Sequence, residues 1–320
     1  MGFGANRARQ YWRNDMGTAQ IWTVITTCTS KKRVSPSVQA ADLPRGPQSL
    51  VLQAWLSKLC AVEDIAPLKD VYAGRGFQIA VKAAQTLGTR INVLSAGLGY
   101  LRDGQEIPGY DLTVSSGQPS SVPSLVTERF DPPVWWRGVQ KGRFASSLTT
   151  PAVVASYVLV ALSAPYSKLV VGDLVSLVQA GCELRLFGSS LAKHLPNMLH
   201  PSVLPYDERL SEIISGTKVD FPQRALLDYA TQISPQKLSR ADDQEAVLRR
   251  LAAVGKLPRA KPHRKRSTDA ELRDIIRRAI PRIGHSKSKL LAHLRRDLGI
   301  ACEQERFSRL FSELGDHNAV

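Results

Sequence analysis

Two spacings of apolar residues alternate along the first 250 positions. Residues 21–27 are apolar and β-branched and predict a first strand. Across residues 48–61, Leu50, Val51, Ala54, Trp55 and Leu59 recur at helical spacing, and residues 75–87 read as a second helix. Residues 91–95 then form a short apolar strand bounded by Gly97. A Ser/Pro/Gly-rich stretch, 115–133, interrupts the pattern before it resumes with strands at 157–162, 168–171 and 183–187 and a helix at 174–180. Further helices are predicted at 206–215, 223–233 and 242–253. Strand alternating with helix predicts an α/β domain with a mainly parallel central sheet, whose ligand-binding loops collect at the carboxyl ends of the strands.

The organisation that follows is a polar arm at 1–19, the α/β domain at 20–253, a basic linker at 254–267 and a small helical domain at 268–320. The linker combines Gly255, Pro258, Pro262 and a basic run, as a solvated connection does. Beyond it, helices are predicted at 269–280, 286–298 and 303–314, with Thr268 and Ser286 as N-caps and Gly299 as a C-cap. Three short helices, the second bearing Lys287, Lys289, His293, Arg295 and Arg296, read as a helix-turn-helix variant.

Composition narrows the class. Hydrophobic residues make up 43% and charged residues 22%, which fits a folded chain. No apolar run reaches the roughly 18 residues that span a bilayer, and no apolar segment follows the charged N-terminus, so the expected compartment is the cytoplasm. The net charge is +15, and residues 249–296 hold 16 Lys and Arg against three acids, so 13 of that surplus sits in one segment. Such a block is the footprint of a polyanion binder. It lacks the aromatic face of a membrane-surface helix. Cys28, Cys60, Cys182 and Cys302 are too scattered to offer metal-ligand spacing, so no metal and no cofactor are expected.

Five loops are candidates for chemistry. After strand one, Cys28, Ser30 and Lys31 set a thiol and a small hydroxyl beside lysine, a group suited to a phosphate or a polar base edge. Residues 94–101 bring Ser95, then Gly97 for close backbone approach and Tyr100 for stacking. In residues 107–114, Asp111 beside Tyr110 is a carboxylate held in a tight turn, suited to general-base work or to facing a cationic sugar. An Asx turn is the plain structural alternative. Trp135 and Trp136 beside Arg137 suggest a base-stacking platform, with Trp136 as the available ring. The fifth loop runs from Gly188 and Ser189 through Lys193 to His200, Pro201 and Ser202.

That fifth loop resembles the second half of the uracil-DNA glycosylase superfamily, where a Gly-Ser strand end precedes a His-Pro-Ser loop. The first half, with Cys28-Thr-Ser-Lys31 and the segment from Leu94 to Thr113, is similar to glycosylase-like domains attached to archaeosine synthases. The water-activating first motif of the uracil enzymes is missing. Together the matches span roughly residues 20–235. The resemblance implies a three-layer αβα fold and a DNA glycosylase that flips out and excises a modified base, leaving an abasic site. His200 would stand over the base, Pro201 and Ser202 would grip the backbone, and Asp111 would face C1′. The expected partner is double-stranded DNA, with phage DNA carrying a hypermodified cytosine such as glucosylated hydroxymethylcytosine as the target in anti-phage defence. No obligate protein partner is expected. Ser30, Lys31, Ser95, Gly97, Tyr100, Tyr110 and Ser189 would meet the base, and Trp136, Arg137, Lys193, Arg264, Lys265, Arg266, Lys287 and Lys289 the duplex. Two alternatives stand beside it: a non-catalytic DNA-binding stress or nucleoid protein, and a base-exchange enzyme of the deazaguanine type.

Overall fold

The computed structural model describes residues 22–115, 117–150, 153, 156–234, 239–255 and 265–316. They divide into two compact units, one up to residue 257 and one from 258 onward, each with its own hydrophobic core.

The first unit is mixed α/β around a five-stranded, mainly parallel sheet. Its strands are β1 (Trp22–Thr27), β2 (Ile91–Ser95), β3 (Gly99–Leu101), β4 (Tyr157–Ala161) and β5 (Glu183–Phe187), in the spatial order β3-β2-β1-β4-β5. All neighbours are parallel except β3, which folds back antiparallel on β2. β1 is central, with Val24 level with Ile91 on one side and Leu159 on the other. Val24, Ile25 and Thr26 are fully buried, as expected of a central parallel strand covered on both faces.

From β1 the chain crosses to β2 on one side, and from β4 it crosses to β5 on the other. The gap between β1 and β4 is therefore the point where the winding reverses, and in such sheets the crevice beyond the carboxyl ends at that point is where ligands bind. The main helices are α1 (Gln48–Cys60), α2 (Arg75–Thr86), α3 (Pro132–Val139), α4 (Ala164–Leu169), α5 (Val171–Gln179), α6 (Phe221–Gln232) and α7 (Arg240–Ala253). α2 and α6 pack on each other and on the sheet, through small residues Ala80, Ala83, Ala84 and Ala225. Gln223 of α6 donates to the Thr26 hydroxyl at 3.0 Å and pins that pair to β1. α1, α3, α4 and α5 form a second group, compatible with a three-layer arrangement.

Two elements depart from the sequence expectation. Residues 168–171, expected as a strand, join two helices, because Pro165 sits in the first turn of α4 and Val170 breaks the helix only briefly before α5 begins. The helix expected at 206–215 shrinks to Leu210–Ile213, since Tyr206 is fixed instead by its hydroxyl on Asp228.

The second unit holds α8 (Asp269–Ile283), α9 (Lys287–Arg296) and α10 (Gln304–Asp316), with a two-residue parallel pair, Lys265–Arg266 against Ile300–Ala301. Thr268 and Glu271 form a reciprocal capping box at the start of α8. That helix continues three residues past its expected end at 280. Pro281 in the last turn removes one donor, while Gly284 closes the end by donating to Ile280. Leu272, Ile276, Leu290, Leu294, Phe307 and Leu310 make its core. No helix among the described residues is long and apolar enough to cross a membrane.

Candidate functional site

The carboxyl end of β1 leads straight into Cys28, whose backbone N–H donates to Leu94 at 2.9 Å and so stays level with the end of β2. The loop after it is held against the start of α2. Ala73 donates to the Lys31 carbonyl at 3.1 Å, Arg33 donates to Val71 at 2.9 Å, and Thr29 packs on Gly74 where no Cβ would fit. Cys28 is half-buried, and its sulfur lies 2.9 Å from the hydroxyl of Tyr166 in α4. That contact spans the reversal point, joining the end of β1 to the helix that follows β4.

Behind the sulfur is a closed chain of hydroxyls. Gly97 and Leu98 donate their N–H groups to Ser95 Oγ at 3.2 and 2.9 Å, so the Ser95 hydroxyl donates onward to Tyr110 at 2.7 Å. The Tyr110 hydroxyl lies 2.9 Å from that of Tyr72. The Tyr166 hydroxyl and the Cys28 sulfur share one hydrogen bond, in which either group can donate. Burial pushes Tyr72, Tyr110 and Tyr166 well above the ordinary phenol value, and the neighbouring sulfur adds to it, so all three remain protonated donors. The Ala96-Gly97 turn is fixed from outside by two indoles. Trp135 donates to the Ala96 carbonyl at 2.8 Å and Trp55 to the Gly97 carbonyl at 2.7 Å.

Lys32 and Asp111 complete the group. The Lys32 ammonium donates to the Thr29 carbonyl at 3.3 Å and stands 4.1 Å from the centre of the Tyr110 ring. Burial lowers its pKa, while Cys28 and Asp111 pull it back up, so both lie within its electrostatic reach. Asp111 is half-buried in a two-residue strand paired with Gln39, and among the described residues its carboxylate has no hydrogen bond or ion pair. A half-buried cation and an unpaired carboxylate beside a thiol are suited to holding opposite charges on one reacting molecule.

The expected site residues divide sharply. Cys28, Ser95, Tyr110 and Asp111 do come together, with Ser30 and Lys31 exposed on the rim. Ser95 and Tyr110 form the buried support of the sulfur. Gly97 has no positive φ, and its tight spot is filled by Trp55 and Tyr110, which a Cβ would meet at 2.9 and 3.3 Å. Tyr100 is 1% exposed, its pKa pushed up to about 12 by burial, so it offers no face for stacking. Trp136 is likewise corrected: it is buried, and its N–H is spent on Asp173 at 2.6 Å. Arg137 beside it is exposed.

The His-Pro-Ser loop lies elsewhere in the fold. It follows β5, at the edge of the sheet, and Leu204 returns to donate to Leu186 at 3.0 Å. His200 Nε2 donates to the Leu195 carbonyl at 3.0 Å, so that nitrogen serves its own loop. Ser202 is fully buried and cannot grip a strand, whereas Pro201, Ser189 and Lys193 are exposed. Among the described residues no hydrogen bond or ion pair connects His200 with Asp111. In the second unit Lys265, Arg266, Lys287 and Lys289 are exposed, and Arg264 lies outside the described residues.

Tyr72 and Tyr166 escaped the sequence reading, whereas Lys32 belongs to the first candidate loop, 27–32. Tyr166 lies 138 residues from Cys28, and only the strand order brings it close. The available signal was positional: Cys28 directly follows β1 and Tyr166 lies five residues beyond β4, so both stand at the carboxyl edge of adjacent strands. Compared with protein-family models, curated proteins and solved structures, the chain gives no match.

Proposed function

We propose that this chain is a DNA glycosylase. Its second unit holds the duplex, and an extruded nucleotide enters the crevice beyond β1 and β4, where the bond between sugar and base is hydrolysed. The observation that carries the reading is the Asp111 carboxylate, without a hydrogen bond or ion pair among the described residues, within the field of the half-buried Lys32 ammonium near the reversal point of the sheet. Cleavage of an N-glycosidic bond builds positive charge on the sugar and negative charge on the departing base. A carboxylate and an ammonium on the two sides of that bond stabilise both charges, and base flipping brings the bond within reach. In this reading Asp111 faces C1′ and Lys32 the base. This assignment moves the base-stabilising role from His200 to Lys32, because the His200 ring is bonded within its own loop.

The finer assignments belong to the same proposal: a uracil-DNA-glycosylase-like α/β domain, and a helix-turn-helix-like second unit that supplies duplex affinity through Lys265, Arg266, Lys287 and Lys289. Arg277, Arg282, Lys289 and Arg296 are exposed and have no carboxylate within ion-pair distance among the described residues, as expected of cations kept for phosphates. The proposed target is a hypermodified cytosine of phage DNA.

Purified full chain should be incubated with unmodified duplex, uracil-containing duplex and phage DNA rich in glucosylated hydroxymethylcytosine, then treated with alkali to break abasic sites. Strand breaks on the modified DNA that disappear with Asp111→Asn support the proposal. Absence of breaks on all three removes it.

A further inference from the structure

The four cysteines form no disulfide among the described residues, and Cys28 is the one at the carboxyl end of the central strand. Cys182 and Cys302 are buried, and Cys60 is exposed at the end of α1. The Cys28 sulfur meets the Tyr166 hydroxyl at 2.9 Å and lies within the field of the Lys32 ammonium. The phenols of Tyr166 and Tyr110 are buried, whereas Cys28, Lys32 and Asp111 are half-exposed, so these three form the part of the cluster that an entering molecule can reach. A phenolic partner and a neighbouring cation are the setting in which a thiol serves as a nucleophile. The Asp111 carboxylate, without a hydrogen bond or ion pair among the described residues, is an independent sign that a ligand completes the group. Half-buried Lys32 makes one hydrogen bond among the described residues, to the Thr29 carbonyl, and lies over the Tyr110 ring, so its charge is left to act on Cys28 and Asp111.

We infer that Cys28 is the covalent nucleophile of this site, attacking C1′ of the extruded nucleotide. The inference rests on the glycosylase reading above and goes further by giving that reaction two steps. In the first, the Cys28 thiolate forms a sulfur–C1′ bond as the C1′–N bond breaks. The electron pair leaves with the base, which takes a proton from the Lys32 ammonium. In the second, Asp111 accepts a proton from water as the water oxygen bonds C1′, and the sulfur departs as thiolate. Transfer of that proton from Asp111 to Lys32 restores the starting state. The products are the protonated free base and an abasic sugar, and no oxidant or reductant is consumed. Tyr166 is a positioning residue here, donating to the sulfur when it carries charge.

The test uses full-length protein and phage DNA rich in glucosylated hydroxymethylcytosine. Single-turnover mixtures are quenched in acid and denaturant, and the protein is digested with nuclease and mapped by mass spectrometry for a nucleotide-derived adduct. Expected are an adduct on Cys28 and a loss of excision of at least about a hundredfold in Cys28→Ala, with duplex binding retained. Iodoacetamide gives a second readout that needs no DNA: Cys28 should alkylate at least about tenfold faster than exposed Cys60, and Lys32→Met should remove that excess. Wild-type excision matched by Cys28→Ala overturns the inference and leaves the glycosylase reading standing. Alkylation of Cys28 no faster than Cys60 also overturns it. Absence of excision by the wild type overturns the reading and the inference together.

Discussion

The Cys28 sulfur and the Tyr166 hydroxyl, 138 residues apart in sequence, meet at 2.9 Å across the point where the sheet reverses its winding. β1 delivers the cysteine and β4 the helix that carries the tyrosine, so the contact follows from strand order. Tyr166→Phe keeps the ring and deletes only this donor. Excision of the modified base should fall by about tenfold, consistent with loss of one hydrogen bond to a charged sulfur, while stability changes by about 1 kcal/mol. Single-turnover rates beside thermal melting measure both, and an unchanged rate would deny the tyrosine any part in the chemistry.

Lys32 is a charge that the fold tolerates at a cost. Burial pushes its pKa down from the ordinary lysine value, with Cys28 and Asp111 pulling against that shift. Below the folded value the ammonium is fully present and the desolvation penalty is complete. Between the folded and ordinary values the unfolded chain binds one more proton than the folded chain, so this residue's contribution to stability rises with pH there. Lys32→Met should therefore be at least as stable as wild type at about pH 7, with the gap narrowing toward about pH 10, yet lose at least about tenfold in excision. Urea midpoints at both pH values check the first part. A clearly less stable variant would make Lys32 a structural residue.

Much of the scaffold around this pair is readable in the chain. The strands at 91–95 and 183–187 appear where the apolar runs are, and α2 begins at Arg75 as expected. These elements carry their signal locally, in β-branched runs and in helical spacing. Strand order is not local, and it decides which loops meet. Asp111 and Cys28 were both marked as candidates and converge, whereas His200 was expected with them and lies beyond the edge strand. Trp136 and Tyr100 misled for a related reason. An aromatic residue next to Arg or Gly has the same sequence signature whether its ring lines a groove or fills the core, and here both rings are buried.

Gly74 shows how a backbone position that carries no functional group still sets the site, since it lies directly against the Thr29 side chain. A Cβ there would stand 2.7 Å from Thr29 Cβ and 2.9 Å from Thr29 Cγ2, so the loop carrying Cys28 and Lys32 would have to move. Gly74→Ala should cost about 1–3 kcal/mol through overpacking and depress excision as well. Removing the neighbour in Gly74→Ala with Thr29→Gly takes away Oγ1, Cβ and Cγ2 together and should recover part of both, because the two positions are in direct contact. A double variant no better than the single one would place the damage elsewhere, and a denaturant series on the four proteins decides it.

Arg185 on β5 and Asp243 on α7 form an ion pair at 2.6 Å, each side chain 1% exposed, with Tyr229 donating to the same carboxylate oxygen at 2.9 Å. Arg185→Met leaves Asp243 without its charge partner, and breaking such a buried pair costs about 3–5 kcal/mol. Replacing both, as Arg185→Met with Asp243→Leu, removes the stranded charge and should recover a large part of that loss. Urea unfolding of the single and double variants gives the coupling. Equal midpoints for wild type and Arg185→Met would show that the pair is not part of what holds α7 to the sheet.

The second unit makes a prediction about salt. Within it Arg273 is tied to Glu313, and Arg306 and Arg309 to Asp269, so these arginines hold the helices together. Arg277, Arg282, Lys289 and Arg296 are exposed without such partners among the described residues. If these cations neutralise phosphates, each releases a counterion, and the slope of log affinity against log salt falls by about 0.9 for every contact removed. Arg282→Gln with Lys289→Gln should lower the slope by about 2 and weaken binding to all duplex sequences alike, with melting unchanged. Arg306→Gln should instead lower the melting temperature, because it strips Asp269 of a partner at the start of α8. Fluorescence anisotropy on one duplex across a salt series, paired with thermal melting, separates the two classes of arginine. A slope unaffected by the double substitution would move the duplex to another surface.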